Sequence, residues 1–251
     1  GAWVHLALCW GDGKRRFYVD GALEAEAGYS GSPRVDSYAF IIGARWNGVG
    51  RHFAGDLDEV YLFESCLNAE QVGVVMASRD QLQPVPAAVV KHPADVEPQP
   101  QPQARAGELP EGLREGLTLF YNFNEAADGR VRDLSGNCAD GEIAGARVVD
   151  EPGFGRALAL DGQNDYVDCA MPTTSRGDIS LSLWVKTEQM SPDQHWLMTR
   201  SEWGGGAWQL VTHNGRPGVE FGPGGELLGK TAVADGNWHH VAACYDATRQ
   251  E

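Results

Sequence analysis

The chain has 251 residues and a formal charge of -15, from 35 acidic against 20 basic residues. Such a balance excludes a phosphate-tracking surface, because nucleic-acid binding depends on clustered Lys and Arg. No run approaches the roughly 20 apolar residues of a membrane-inserted helix, and the length suits one large all-β domain or two small ones.

The opening "GAWVHLALCW" returns near the end as "GNWHHVAACY", aligning Gly1 with Gly236, Trp3 with Trp238, His5 with His240, Ala7 with Ala242 and Cys9 with Cys244. Both copies read as strands. The cluster Lys14-Arg15-Arg16 reads as a solvated strand entrance, and "RRFYVDG" as a strand ended by the hairpin signal Asp20-Gly21. In "GDLDEVYLF" at 55–63, alternation places Asp56, Asp58, Val60 and Leu62 on one face and Leu57, Glu59, Tyr61 and Phe63 on the other. With Val60 and Leu62 towards the core, Asp58 meets an apolar layer and needs backbone amides, a cation or Ca²⁺. "LNAEQVGVVMA" at 67–77 is the one convincing helix, with Asn68 as N-cap and Val72, Val75 and Met76 as its apolar stripe.

Residues 79–116 hold seven of the thirteen prolines and no aromatic residue. The segment cannot bury enough apolar surface to offset its ordering entropy, so it is expected to be a disordered Pro/Gln-rich linker. Its end, "GELPEGLREG", suggests a helical turn. The linker divides the chain into 1–78 and 117–251.

Beyond it, "LTLFYNF" at 117–123 is a strand. In "RDLSGNCADG", Asp133 and Asn137 suit Asx-type turns better than an EF-hand, which needs more regularly spaced carboxylates. "RALALDG" and "QNDYVDC" read as two strands joined by a glycine turn, and "SLSLWVK" at 180–186 sets Leu181, Leu183 and Val185 on one face. His239 and His240 point to opposite sides of a strand and cannot chelate together. Of the five cysteines, Cys9 and Cys244 suit small core hydrophobes, Cys138 and Cys169 are an open candidate pair, and no spacing suggests zinc. Trp3, Trp184, Trp208 and Trp238 lie in strand phrases and are expected in the core. Trp46 and Trp203 lie in Gly-rich loops. Many short strands with regular turns indicate an all-β antiparallel sandwich.

Seven of these phrases, in order, resemble the laminin-G-like jelly-roll family of the concanavalin A-like lectin and glucanase superfamily. "LTLFYNFNEAADGRVRDLSGNCADGEI" is similar to the family's opening, "ALALDGQNDYVDC" to its next hairpin, and "GNWHHVAACYD" to its mid-domain strand. "FYVDG", "IIGAR" and "FAGDLDEVYLFESCLNAEQV" resemble its closing half. The resemblance implies that 1–78 is the C-terminal half of one module and 117–251 the N-terminal half of the next, with neighbouring modules of the same parent chain as partners. The two halves are complementary and are expected to close as one permuted sandwich, a swapped dimer being the competing outcome. The first and second copies of the repeated strand are candidates for one slot.

The resemblance also implies a secreted or cell-surface module that binds carbohydrate or another extracellular protein without catalysis. A structural spacer without a small ligand is the alternative. A glycosidase is a third reading, but the strand offers Asp56 and Asp58 and then Val60, an incomplete carboxylate set. The candidate calcium ligands are Asp58, Asp161 and Asp165. The candidate sugar contacts are Trp46 and Trp203 for stacking, with Arg45, Asn47 and Glu202 as polar neighbours.

Overall fold

A computed structural model describes residues 6–28, 40–45, 48–78, 109, 111–169, 178–200, 208–221 and 225–245, with the backbone alone at 6–13, 111, 221 and 245. Two layers of mostly antiparallel strands form a sandwich. Of the linker expected over 79–116, residues 79–108 and 110 lie outside the described residues, as do Trp3 and His5, and its end packs into the core through Leu109 and Leu113.

The first layer is organised around β4 (Ala54–Phe63). Its first half pairs with β9 (Gly155–Asp161), Leu57 opposite Leu158, and its second half pairs with β5 (Leu117–Tyr121), Val60 opposite Tyr121. The partner changes at Glu59, whose φ of 50° is a left-handed conformation that interrupts simple alternation. On the other side β4 runs antiparallel beside β11 (Ile179–Lys186). The Thr187 hydroxyl donates to the Ala54 carbonyl (2.6 Å), and Lys186 reaches Asp56 (2.8 Å). At the far end the Leu67 amide donates to the Ser180 hydroxyl (3.1 Å). β8 (Arg147–Glu151) completes this side by pairing with β9.

Residues Leu181–Leu183 of β11 pair with Val241–Ala243 of β16 (Trp238–Tyr245) and, in the same antiparallel register, with Leu6–Leu8 of β1 (Leu6–Val19). β1 also runs parallel to β16, with Ala7 opposite Ala242 and Cys9 opposite Cys244. The repeated phrase thus brings both copies to one edge of β11. That edge accepts one partner at a time, since each backbone amide serves one ladder bond. Cys244, expected as an apolar filler, is disulfide-bonded. Cys138 and Cys169, the open candidate pair, are not disulfide-bonded to each other; Cys138 is exposed and Cys169 buried.

β1 continues past the repeat and turns at Asp20-Gly21, both at positive φ, into β2 (Ala22–Gly28), as the Asp-Gly signal predicts. The basic cluster is not wholly solvated. Lys14 and Arg16 pair with Glu26 at 2.7 and 2.8 Å, but Arg15 is buried and donates to the Gly225 carbonyl at 3.0 Å.

The second layer is one sheet in the order β15 (Glu226–Leu228), β14 (Arg216–Phe221), β13 (Trp208–His213), β12 (His195–Arg200), β3 (Phe40–Ile42), β10 (Tyr166–Cys169), β7 (Gly141–Ala144), β6 (Arg130–Val131). Here β9 and β10 depart from the expected hairpin. β9 belongs to the first layer and β10 to the second, so the turn between them carries the chain across the sandwich. Helix α1 (Ala69–Ala77) has the expected Asn68 cap, as a full capping box with Gln71, and buries Val72 and Val75. A short α2 (Glu111–Arg114) forms the helical turn before β5.

One contiguous core joins the layers, including Leu181, Leu183 and Val185 from the first and Met198, Leu210 and Val219 from the second. Trp184, Trp208 and Trp238 are buried as expected. Phe154 stacks on Trp238 at 4.6 Å and closes the β8–β9 hairpin over β16.

The loop after β6 is pinned by Asp133. Its carboxylate accepts from the amides of Phe120, Ser135 and Ala139 at 2.9–3.1 Å and from the Ser135 hydroxyl at 2.8 Å. Asn137 Nδ2 donates to the carbonyls of Leu117 and Thr118. The two side chains tie the loop to β5, the turn role read from the sequence. Asp133→Ala strands these donors. The expected cost is about 3–5 kcal/mol, built from about 1–3 kcal/mol per unsatisfied buried group. At roughly 2–4 °C per kcal/mol for a domain of this size, a melting temperature lowered by about 10 °C by calorimetry is the expected result.

Candidate functional site

The three carboxylates expected to gather calcium are each engaged locally. Asp58 is fully buried and its Oδ1 accepts the amide of the next residue, Glu59, at 2.8 Å. Asp161 Oδ1 accepts from the Gln163 amide at 2.8 Å, and Asp165 Oδ2 from the Asp161 amide at 2.9 Å. Asp161 stands opposite Ala54, so Asp58, four residues further along β4, is about 13 Å away at roughly 3.3 Å per residue. Among the described residues no three His, Cys, Asp or Glu side chains converge as a metal site. The set Asp58, Asp161 and Asp165 does not fit a shared ion. Glu59, which alternation places on the face opposite Asp58, is also buried and accepts from the Tyr61 hydroxyl at 2.6 Å.

Asp56 and Glu151 both hold the Lys186 ammonium, at 2.8 and 2.6 Å, and Trp238 Nε1 donates to Glu151 at 3.3 Å. This is an ion-pair staple joining β4, β8, β11 and β16. His240 Nε2 meets the Ser182 hydroxyl at 2.6 Å while His239 meets Asp235 at 2.8 Å, so the adjacent histidines face opposite ways as expected.

Of the proposed sugar contacts, Trp46, Asn47, Glu202 and Trp203 lie outside the described residues. Arg45 is described: it is exposed, and its guanidinium sits 5.9 Å from the ring centre of Trp196 on β12.

Trp196 leads to a cluster that sequence reading missed. In the second layer Met198, Leu210 and Val219 stand opposite one another and face the core. The next row, Thr199, Gln209 and Glu220, must therefore face outward. It continues through Ile41 to Asp168 on one side and to Glu226 on the other. Although outward-facing, Thr199 and Gln209 are 0 % exposed and Glu220 is 6 % exposed. Both amide atoms of Gln209, the Thr199 hydroxyl, Glu220 Oε2 and Trp196 Nε1 are buried and meet no hydrogen-bond partner among the described residues. Buried polar atoms are almost always paired, by protein or by ordered water, so this contiguous group is a candidate place for bound water or a ligand.

Electrostatics reinforce this. Burial first, and then the Glu226 carboxylate, push Glu220 up from the ordinary carboxylate range, against the opposing pull of Gln194, Arg51 and His213. Burial and then Glu142 do the same to Asp168. Glu226 itself is held by His213 Nδ1 at 2.8 Å and Gln194 Nε2 at 3.2 Å. The one signal available in the sequence was a polar residue inside each of "HWLMTR", "WQLVTH" and "GVEF"; only the register shows that Thr199, Gln209 and Glu220 are neighbours.

A model of the laminin G type matches residues 1–73 and 161–251, more than half of the chain. The chain belongs to the concanavalin A-like lectin/glucanases superfamily. This laminin-G-like match contributes both β4 and the whole β11–β16 stretch, and it contains Thr199, Gln209 and Glu220. Neither the curated proteins nor the solved structures yielded a match. Membership of the superfamily supports a binding module, and no helix among the described residues is long and apolar enough to cross a membrane.

The raised Glu220 has a consequence for stability. A carboxylate whose folded pKa lies above its unfolded value of about 4.3 costs the fold nothing at low pH, where both states are protonated. Stability then falls as pH rises from there through the folded pKa. Glu220→Gln is therefore expected to raise the melting temperature at pH 7, with the gain shrinking to nothing well below pH 4. Calorimetry at the two pH values checks it; a gain that does not depend on pH would place its origin elsewhere.

Proposed function

We propose that this laminin-G-like module binds carbohydrate without transforming it, as part of a secreted or cell-surface protein. The observation that carries the reading is the family match over residues 1–73 and 161–251; Gln209, a fully buried carboxamide flanked in register by Thr199 and Glu220, is the contact it puts to the test. Hydroxyl groups donate and accept at once, which is what a row of unpaired donors and acceptors calls for. Saccharide sites combine such polar groups with aromatic surface. The connection 201–207, which contains Glu202 and Trp203, starts and ends on Arg200 and Trp208, the pair next to Thr199 and Gln209. Arg45 borders the same face through Trp196, so Trp46 and Asn47 remain candidates to extend it.

The non-catalytic part of the reading is supported by Asp56 and Glu151. They share one ammonium, a pairing suited to fastening strands and not to an acid and a nucleophile acting in turn.

The test is isothermal titration of the whole chain against a panel of oligosaccharides, with Gln209→Met beside it. Replacing an unsatisfied buried amide by an apolar group of similar shape removes a cost of about 1–3 kcal/mol. The variant is expected to melt higher yet bind about tenfold or more weakly. A panel silent with the unaltered chain would favour the protein-interaction module instead. Titrations in calcium and in chelator separate any metal-linked component from the one made by the row.

A further inference from the structure

We propose that the slot beside β11 is a strand-exchange site. The first copy of the repeated phrase, residues 3–10, and the second, residues 238–245, are interchangeable occupants, and the sandwich closes with either one in place.

The slot has two walls. On one side Ile179–Lys186 pair with Tyr245–Trp238 along the whole of β16. On the other the Asp20 amide donates to the His240 carbonyl at 3.3 Å, so the end of β1 that leads into the Asp20-Gly21 turn borders the same segment. Against the first wall, Ser182 is the ladder partner of both Ala242 and Ala7. Leu183 is the partner of both Val241 and Leu6, and Leu181 of both Ala243 and Leu8. The two copies therefore stand in one register on β11, and it is the register in which the phrases align. A backbone ladder reads spacing and not side-chain identity, so either strand meets the same donors and acceptors.

The residues that the copies share fall on one face of the strand. Trp238, His240, Ala242 and Cys244 alternate along β16, and the first copy repeats them as Trp3, His5, Ala7 and Cys9. This is the face with specific contacts. Trp238 stacks on Phe154 at 4.6 Å, and its Nε1 donates to Glu151 at 3.3 Å. His240 Nε2 meets the Ser182 hydroxyl at 2.6 Å, and its ring meets Trp184 edge-on at 5.2 Å. Both anchoring side chains of the resident strand thus have a counterpart in the first copy. The other face differs in bulk: Val241 and Ala243 correspond in the alignment to Leu6 and Leu8. Val241 and Ala243 are fully buried in the core, where extra methylenes force strain. Bulk on the inner face favours the second copy as resident, and the shared face allows the first to replace it.

The experiment is amide hydrogen exchange of the whole chain, read by mass spectrometry on peptides that separate 3–10 from 238–245. It is run in reductant, because Cys244 is disulfide-bonded. In the unaltered chain 238–245 is expected to be the better protected copy, and in Trp238→Ala protection is expected to pass to 3–10. The double substitution Leu6→Val, Leu8→Ala gives the first copy the inner residues of the second and leaves β16 unaltered. It is expected to shift protection towards 3–10, and it keeps the test open if Trp238→Ala fails to fold. Melting temperature supplies a second readout. Trp238→Ala is expected to cost about 10 °C in a Trp3→Ala background, the usual effect of losing a buried indole, and less than half of that when Trp3 is present. Equal losses in the two backgrounds, or protection that stays at 238–245 in every variant, would overturn the exchange. Protection that reaches 3–10 only as a dimer forms, seen by sedimentation, would assign the incoming strand to a second copy and overturn exchange within one chain.

Discussion

The whole arrangement depends on β4 lying between strands that come from far along the chain. Residues Ala54–Phe63 supply a partner for β9, a partner for β5 and a neighbour for β11. Those three strands lie roughly 60 to 120 residues later, and none of them pairs with another of the three. Without β4 the first layer separates into unconnected pieces. The strand earns its place by burial on both sides: from Leu57 to Phe63 every residue is buried, including Asp58 and Glu59. The two acids are tolerated because local partners receive them, the Glu59 amide for Asp58 and the Tyr61 hydroxyl for Glu59. The left-handed Glu59 is the cost of switching partners in mid-strand.

A second theme is how acids are used. Asp133, Asp161 and Asp165 each bind backbone amides and hold a turn, and Asp56 and Glu151 share Lys186 as a clasp between strands. These groups are satisfied, and they account for much of what looks like metal or catalytic chemistry in the bare sequence. Glu220 is different. Its Oε2 lies buried without a partner among the described residues, beside a carboxamide in the same condition. The contrast between acids that finish a structural task and one that does not is what separates scaffold from candidate site.

The location of that site follows from the sheet. Thr199, Gln209 and Glu220 come from three successive strands joined by hairpins, so their spacing is set by ladder hydrogen bonds and not by loop conformation. A row held this way has its polar atoms fixed in a line by the sheet itself. The tight turn at Asn214-Gly215, both at positive φ, joins β13 to β14.

Local signals were legible without a structure. Asp20-Gly21 specified a hairpin, Asn68 capped α1, Asp133 and Asn137 tied a loop, and the alternation in "SLSLWVK" separated core from outer face, because each depends on residues a few positions apart. The family phrases carried the sandwich class for the same reason. Partners distant in the chain were not legible. The turn after Asp161 could equally have closed a hairpin or crossed between layers, and only the pairing of β10 with β3 decided it. Asp58, Asp161 and Asp165 looked like one ligand set until register placed them apart. Gln209 looked like an ordinary polar residue in a strand until register set it between Thr199 and Glu220. Composition and short-range spacing determine which face of a strand is apolar; which strands share an edge, and therefore which polar residues meet, is a long-range property that only the assembled sheets decide.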